Sequence, residues 1–312
     1  MMFNPLVNPK IEKDLYSIIC DLIDINKPYY ALQNLSETGN EEVYAEIDVE
    51  RLEHNEVSPI SQAEAGRHLA ILGSCALSLI NKKKSKHYYL ASKASTLLHT
   101  SDISQFNGQQ RRRLKCFAKA IHLDEKTRTG SVSSRIYTEN DQLISTLDLT
   151  YLILQEALFQ KMFRRQQTKA LQDNLIVDNP YKFPVTLKEI SITENRLNCN
   201  LGKIEPYQCI GHFPNYPALP VAILSSALLY SAEIFLKSRY PECWKIRINQ
   251  VSLIAEKLAF AGEQVHIETN LLESSGKTYH FSCNALDEDK NLIGKLYTSI
   301  DVITQSDISR CR

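Results

Sequence analysis

A pattern that occurs twice constrains this chain more than any single motif. A proline-bearing loop leads into an apolar segment of helical length, and a series of strand-like runs follows. The first apolar segment, "SQAEAGRHLAILGSCALSLI", spans 61–80 and follows Pro59. The second spans 217–238 and begins within "GHFPNYPALP", which occupies 211–220. Both are apolar on most sides, so each predicts a buried helix and not a surface one. The runs behind them ("KHYYLASKASTLLHT", "RRRLKCFAKAIHLDEKT", "GSVSSRIYTEN" and "QLISTLDLTYLIL", then "CWKIRINQVSLIAEKLAF", "EQVHIETNLLES", "KTYHFSCNALDED" and "NLIGKLYTSIDVI") predict antiparallel strands joined by turns. A central apolar helix wrapped by one curved antiparallel sheet, built twice, is the economical α+β architecture.

Other stretches fit around that repeat. Residues 11–26 have helical spacing that ends at Pro28, 41–50 alternate as a strand, and 155–174 read as a surface helix. "VDNPYKFP" breaks the chain, which divides it into 1–175 and 176–312, two lengths that can each carry a core. Ser61 with Glu64 forms a capping-box pattern, and "KKKSK" closes the first helix with positive charge. Lys and Arg total 36, as do Asp and Glu, so no global field points to nucleic acid or a membrane surface. The apolar runs are too short or too interrupted to predict a membrane span, and the N-terminus lacks the order of a signal peptide. Eight cysteines occur without a CxxC pair and predict reduced, buried thiols in a cytoplasmic protein.

"GHFPNYPALP" resembles the "GHFPxxPxxPG" signature of the 3-hydroxyacyl-carrier-protein dehydratases. The match covers His212, Phe213, Pro214, Pro217 and Pro220. The resemblance implies a hotdog fold, here a double hotdog, and a service to fatty-acid, polyketide or related lipid pathways. It also implies a catalytic His212, with an acid on a helix fourteen residues on. Here that position is Ser226, and Val221 replaces the glycine tied to thioester binding. Glu64 lies five residues after Pro59 and Ser226 six after Pro220, so the two places correspond within one residue and the expected site is composite, with His212 from one half facing Glu64 from the other. The reciprocal site would pair Ser226 with the loop around Arg51–His54.

On that reading His212 removes a proton next to the thioester carbonyl, and Glu64, its pKa raised by apolar surroundings, protonates the departing hydroxyl. Val221, Phe213 and Pro220 border the thioester, and a helix N-terminus supplies N–H donors. Arg67 and His68 would orient Glu64 or line the pocket. No metal or redox cofactor is called for. The partners are an acyl chain on acyl carrier protein or coenzyme A, with Lys82–Lys84 and Arg111–Arg113 as docking patches, and homo-oligomers of the chain are a further partner class. Structural readings stand beside these: Glu64 as a capping residue, His68 as a core histidine, the basic runs as solvated surface. Two rival functions remain open. One is an acyl thioesterase, which would depend on Glu64 and not on His212. The other is a non-catalytic acyl-binding or scaffold subunit.

Overall fold

The computed structural model describes residues 17–51, 54–99, 113–168, 178–305 and 307. Among these residues twelve strands form one sheet in the order β1-β2-β4-β5-β6-β3-β9-β12-β11-β10-β8-β7. The first six in the chain are β1 (Gln33–Gly39), β2 (Glu42–Asp48), β3 (His87–Leu98), β4 (Arg113–Asp124), β5 (Thr129–Tyr137) and β6 (Leu143–Gln155). The last six are β7 (Lys188–Ile192), β8 (Arg196–Lys203), β9 (Lys245–Ala255), β10 (Gln264–Ser275), β11 (Thr278–Leu286) and β12 (Leu292–Ile303). Adding six to each strand number of the first half gives the order of the second read from the opposite edge of the sheet, so the repeat is topological as well as sequential. The halves meet where β3 pairs antiparallel with β9, from Lys93 opposite Ile254 to Leu97 opposite Gln250.

Two long helices lie against this sheet: α1 (Gln62–Ile80) against β2, β4, β5 and β6, and α3 (Val221–Arg239) against β8, β10 and β11. They also pack on each other. α3 is long and apolar enough to cross a membrane, but its Ala227, Leu228, Ala232, Phe235 and Leu236 are fully enclosed, which makes it the core helix of its half. β-Branched and aromatic residues alternate along the strands, and the strand burial alternates with them, as on a sheet with one covered face.

Several elements differ from the sequence reading. The second helix starts at Val221, not at 217, because Pro217 and Pro220 lack the N–H a helix needs and push the residues before them to extended backbone. The helix expected over 155–174 is short: α2 spans Glu156–Met162 and ends in a 3-10 turn, Arg164–Gln166. It is a surface helix, as expected, anchored by Phe159, which is fully buried, a burial that contributes about 1.5–3 kcal/mol. Residues 17–23 are the described part of the helix expected at 11–26. The division at 175/176 lies outside the described residues.

One packing detail positions the site. Phe213, Tyr216 and Ala218 belong by sequence to the second half but pack in the core of the first, where Tyr88 stacks on Phe159 at 3.6 Å and Phe213 meets both edge-on. The segment Asp24–Tyr30 clamps this loop from outside. Asn26 N donates to Gly211 O at 2.8 Å, and Phe213 N donates to Asp24 O at 3.3 Å. Gly211 has φ +81°, and a Cβ there would stand 2.3 Å from Asn26 O, so no other residue fits.

Candidate functional site

The "GHFPNYPALP" loop holds one imidazole in a fixed orientation. His212 is 8% exposed, and its Nδ1–H donates to Ala218 O at 2.8 Å, which leaves Nε2 as the nitrogen with the lone pair. Burial pushes its pKa down to about 4, so the ring is neutral at pH 7. Phe213 stacks on it at 4.0 Å and carries φ +52°, an uncommon backbone setting for a bulky residue that the packing and the Asp24 hydrogen bond sustain.

His212 lines an apolar cavity of about 460 Å³. α1 contributes Ala70, Ile71 and Ser74, α3 contributes Val221 and Leu224, and Tyr89, Tyr151 and Phe260 come from the sheet and its loops. Of the expected thioester-bordering residues, Val221 and Phe213 lie in the lining, while Pro220 sits behind them as the N-cap of α3. Ile223 N and Leu224 N both bond Pro220 O, and the N–H groups of Val221 and Ala222 lie ahead of the helical ladder.

Glu64 lies elsewhere. It lines a second, polar cleft of about 500 Å³ with Arg51, Ser61, Arg67 and Ser226. Its carboxylate accepts from Glu50 N at 2.6 Å and Arg51 N at 3.3 Å, and His68 Nε2 stands 3.7 Å away. Burial would raise its pKa, but these donors and the Arg67 charge outweigh burial and lower it. So Glu64 is an ionised carboxylate that holds its own half's loop, not a protonated acid facing His212. Half the capping box is present: Ser61 Oγ accepts from Glu64 N, but the Glu64 side chain turns to residues 50 and 51.

The helix starts explain why the pair is not formed. α1 begins at Gln62 and α3 at Val221, so Ser226, the sixth residue of α3, corresponds to Arg67, the sixth of α1. Glu64 is only the third, nearly a full turn back. Pro59, from which the sequence spacing was counted, is not the cap; Ser61 is. Between the two sites stand Tyr29, 5.0 Å from the His212 ring, and Arg67, whose guanidinium lies 6.0 Å from the Tyr29 ring. Arg67 pairs with Glu50 and approaches His68 Nε2 at 3.1 Å. Burial and Arg67 lower the His68 pKa, so His68 is a neutral core histidine beside Glu64. The expected reciprocal contact is present as Arg51 Nη1 to Ser226 Oγ at 3.4 Å.

Among the described residues one set could hold a metal ion: ligand atoms of Glu50, Glu64 and His68 lie within 4.8 Å of one another. The Arg67 guanidinium already bridges Glu50 and His68, and so supplies the positive charge there. The basic runs have local partners. Lys83 pairs with Glu125 at 3.3 Å, Lys84 caps the carbonyls of Ser78 and Leu79, and Arg113 pairs with Glu46 and Asp48. Arg111 and Arg112 lie outside the described residues. Cys20, Cys75, Cys116, Cys199, Cys209, Cys243 and Cys283 are buried, and no disulfide joins any two of them.

Solved structures share this architecture. A candidate oleoyl thioesterase from Lactobacillus plantarum superposes with a TM-score of 0.57 at 10% identity, covering 87% of this chain and 98% of its own. An acyl-CoA thioesterase II from Mycobacterium marinum gives 0.52 at 9% identity, covering 88% and 97%. A conserved protein with a hot dog fold from Alicyclobacillus acidocaldarius gives 0.53 at 10% identity, covering 90% and 99%. The fold is a hotdog. No family model matches the chain, and no curated protein matches it.

The hotdog reading of the His-Phe-Pro loop therefore stands, and the dehydratase reading attached to it does not. The similar structures that carry an activity in their names are thioesterases, hydrolases and not lyases. The site agrees, because the helix acid that dehydration needs is absent beside His212. The carboxylates in that cavity's lining, Glu256 and Glu263, come from the loop after β9 and not from the facing helix.

Proposed function

We propose that this chain is an acyl thioesterase, a hydrolase that cleaves an acyl chain from the thiol of coenzyme A or of a carrier protein. One observation carries the reading: an apolar cavity of acyl-binding size has, in one wall, a neutral imidazole beside the open N-terminus of a buried helix. On this reading the chain is two tandem hotdog units, residues 1–175 and 176–312, with one working site at their junction. The names of the similar structures support the same reaction class.

Hydrolysis asks less of the site than dehydration does. The acyl chain lies against Ala70, Ile71, Leu224 and Phe260. A water molecule adds to the carbonyl carbon as its proton passes to His212 Nε2. The carbonyl oxygen gains the negative charge and faces the N–H groups of Val221 and Ala222. The C–S bond then breaks, and the leaving sulfur takes the proton from His212, giving a free acid and a free thiol. A thiol is acidic enough to leave without a second acid, so the missing carboxylate is no obstacle.

The test is thiol release from acyl-coenzyme A substrates of increasing chain length, with wild type, His212→Ala and Glu64→Gln. Release that His212→Ala abolishes and Glu64→Gln retains within tenfold supports the site as described. Dependence on Glu64 alone would move the chemistry to the polar cleft. Bound but uncleaved substrate would leave the chain an acyl-binding subunit.

A further inference from the structure

Three tyrosines line the apolar cavity: Tyr29, Tyr89 and Tyr151. Two of their hydroxyls are engaged. Tyr151 Oη donates to Ala70 O at 2.6 Å, and Tyr89 Oη accepts from Asn81 Nδ2 at 3.5 Å. Tyr181, which packs edge-on against Tyr29 at 5.2 Å, bonds Ile210 O at 2.8 Å. Tyr29 is 4% exposed, lines the cavity, and makes no hydrogen bond through its hydroxyl among the described residues. Its oxygen is not among the buried atoms sealed without a partner, and the residue lines the cavity, so the hydroxyl is available to an acceptor that enters there.

Its position says where that acceptor sits. The ring stands edge-on to His212, at 5.0 Å and 65°, in the wall of the same cavity. The bonds from Asn26 to Gly211 and from Phe213 to Asp24 tie the segment that carries Tyr29 to the loop that carries His212, so the two rings cannot drift apart independently. Burial raises the Tyr29 pKa far above neutrality, so the group is an O–H donor at any physiological pH.

We infer that the Tyr29 hydroxyl is a catalytic residue of this site, donating to the carbonyl oxygen of the bound thioester. The inference rests on the thioesterase reading. As water adds, its proton goes to His212 Nε2, and the carbonyl π electrons move to oxygen. That oxygen then lies between the Tyr29 O–H and the α3 N–H groups. Collapse of the adduct restores the C=O bond, breaks C–S and returns the proton to sulfur, so Tyr29 gives up no proton overall. The donor belongs at oxygen and not at sulfur because a thiolate leaves unaided. The first half thus supplies the partner that the histidine loop of the second half requires, and that partner is a phenol, not a carboxylate.

The experiment compares wild type with Tyr29→Phe in the thiol-release assay on a good acyl-coenzyme A substrate, and records melting temperature in parallel. Loss of one preorganised oxyanion donor is expected to lower kcat about 100-fold with KM within about threefold. The melting temperature should hold, because the deleted hydroxyl has no partner among the described residues. Full kcat in a folded Tyr29→Phe overturns the role of Tyr29 and leaves the hydrolase reading intact. A fall in kcat that tracks a fall in melting temperature also overturns it, since the hydroxyl would then be structural. No release by wild type on any chain length overturns the hydrolase reading and this role with it.

Discussion

The molecule contains the same place twice; one copy opens on an apolar cavity, and in the other the described residues form a charged network. Around His212, the loop ahead of α3 docks on the start of β3, with Phe213 against Tyr88. Around His54, the loop ahead of α1 docks on the start of β9, where Val57 N donates to Ile246 O and Ile246 N donates to Asn55 O. The thirteenth residue of each helix faces the other half's loop. In α1 it is Ser74, which lines the apolar cavity; in α3 it is Glu233, which accepts from Asn55 Nδ2 at 2.5 Å and pairs with Lys237 at 2.8 Å. Lys245 adds a bond to His54 O, and Gln62 N one to Glu56. Small and neutral residues leave room for an apolar guest. Charged residues that must satisfy one another fill the room themselves.

The largest test of that difference is to remove each histidine. Both are pushed down to about 4 by burial, so protonation state does not separate them. Orientation does: His212 Nδ1 is anchored on Ala218 O, whereas His54 Nδ1 is buried without a partner. His212→Gln is expected to lower kcat for thiol release by about 100-fold or more, the range for a lost general base. His54→Gln should leave kcat within twofold. Equal losses in steady-state assays would show that both copies work, and the contrast drawn here would fail.

Much of this asymmetry is legible in the letters. The doubled order of loop, helix and strands is there, and so is the one rigid histidine. What is not legible is whatever depends on pairing across the chain. β1 is missed because it is a short, mostly exposed edge strand with almost no apolar alternation to mark it. The Glu64 assignment fails on register: a count from Pro59 ignores that a helix begins at its cap, and three residues turn a side chain most of the way round. Tyr29 carries no motif at all. Its meaning comes from a loop some 180 residues away, through backbone bonds that no local pattern encodes. The His-Phe-Pro motif identifies the fold correctly and the reaction incorrectly, because the loop belongs to the architecture while the reaction depends on what the facing helix presents.

Exchanging the thirteenth residues sharpens the comparison at an intermediate scale. Ser74→Leu puts an isobutyl group into the acyl cavity. It should spare short substrates and cost the longest ones about fourfold in kcat/KM for each methylene excluded, from about 0.8 kcal/mol per buried methylene. Glu233→Ser should leave every chain length unaffected. It removes the acceptor of Asn55 and the partner of Lys237, and is expected to lower stability to urea by about 1–3 kcal/mol. If Glu233→Ser instead created turnover on short thioesters, the mirror place would be a blocked active site and not a structural network.

The smallest expected difference is in pH. His212 and His54 have folded pKa values near 4 against an ordinary 6.5, so the folded protein binds fewer protons than the unfolded chain between those limits. Their contribution to stability is full above about 6.5 and is lost as pH falls through about 4. Glu56, in the mirror place alone, is pushed by burial from 4.5 up to about 7. The folded protein then binds more protons, and this contribution is full below about 4.5 and lost as pH rises through about 7. Glu56→Gln should therefore flatten the decline in melting temperature between pH 5 and pH 7.5 while leaving the rate profile unchanged. The rate itself should be level from about pH 6 to pH 8 and fall only as pH approaches about 4, because a base that is already neutral gains nothing from further alkali. A midpoint near 6.5 would mean that His212 titrates as it does in water. The cavity would then be wet, and the dry-versus-filled contrast between the two places would lose its physical basis.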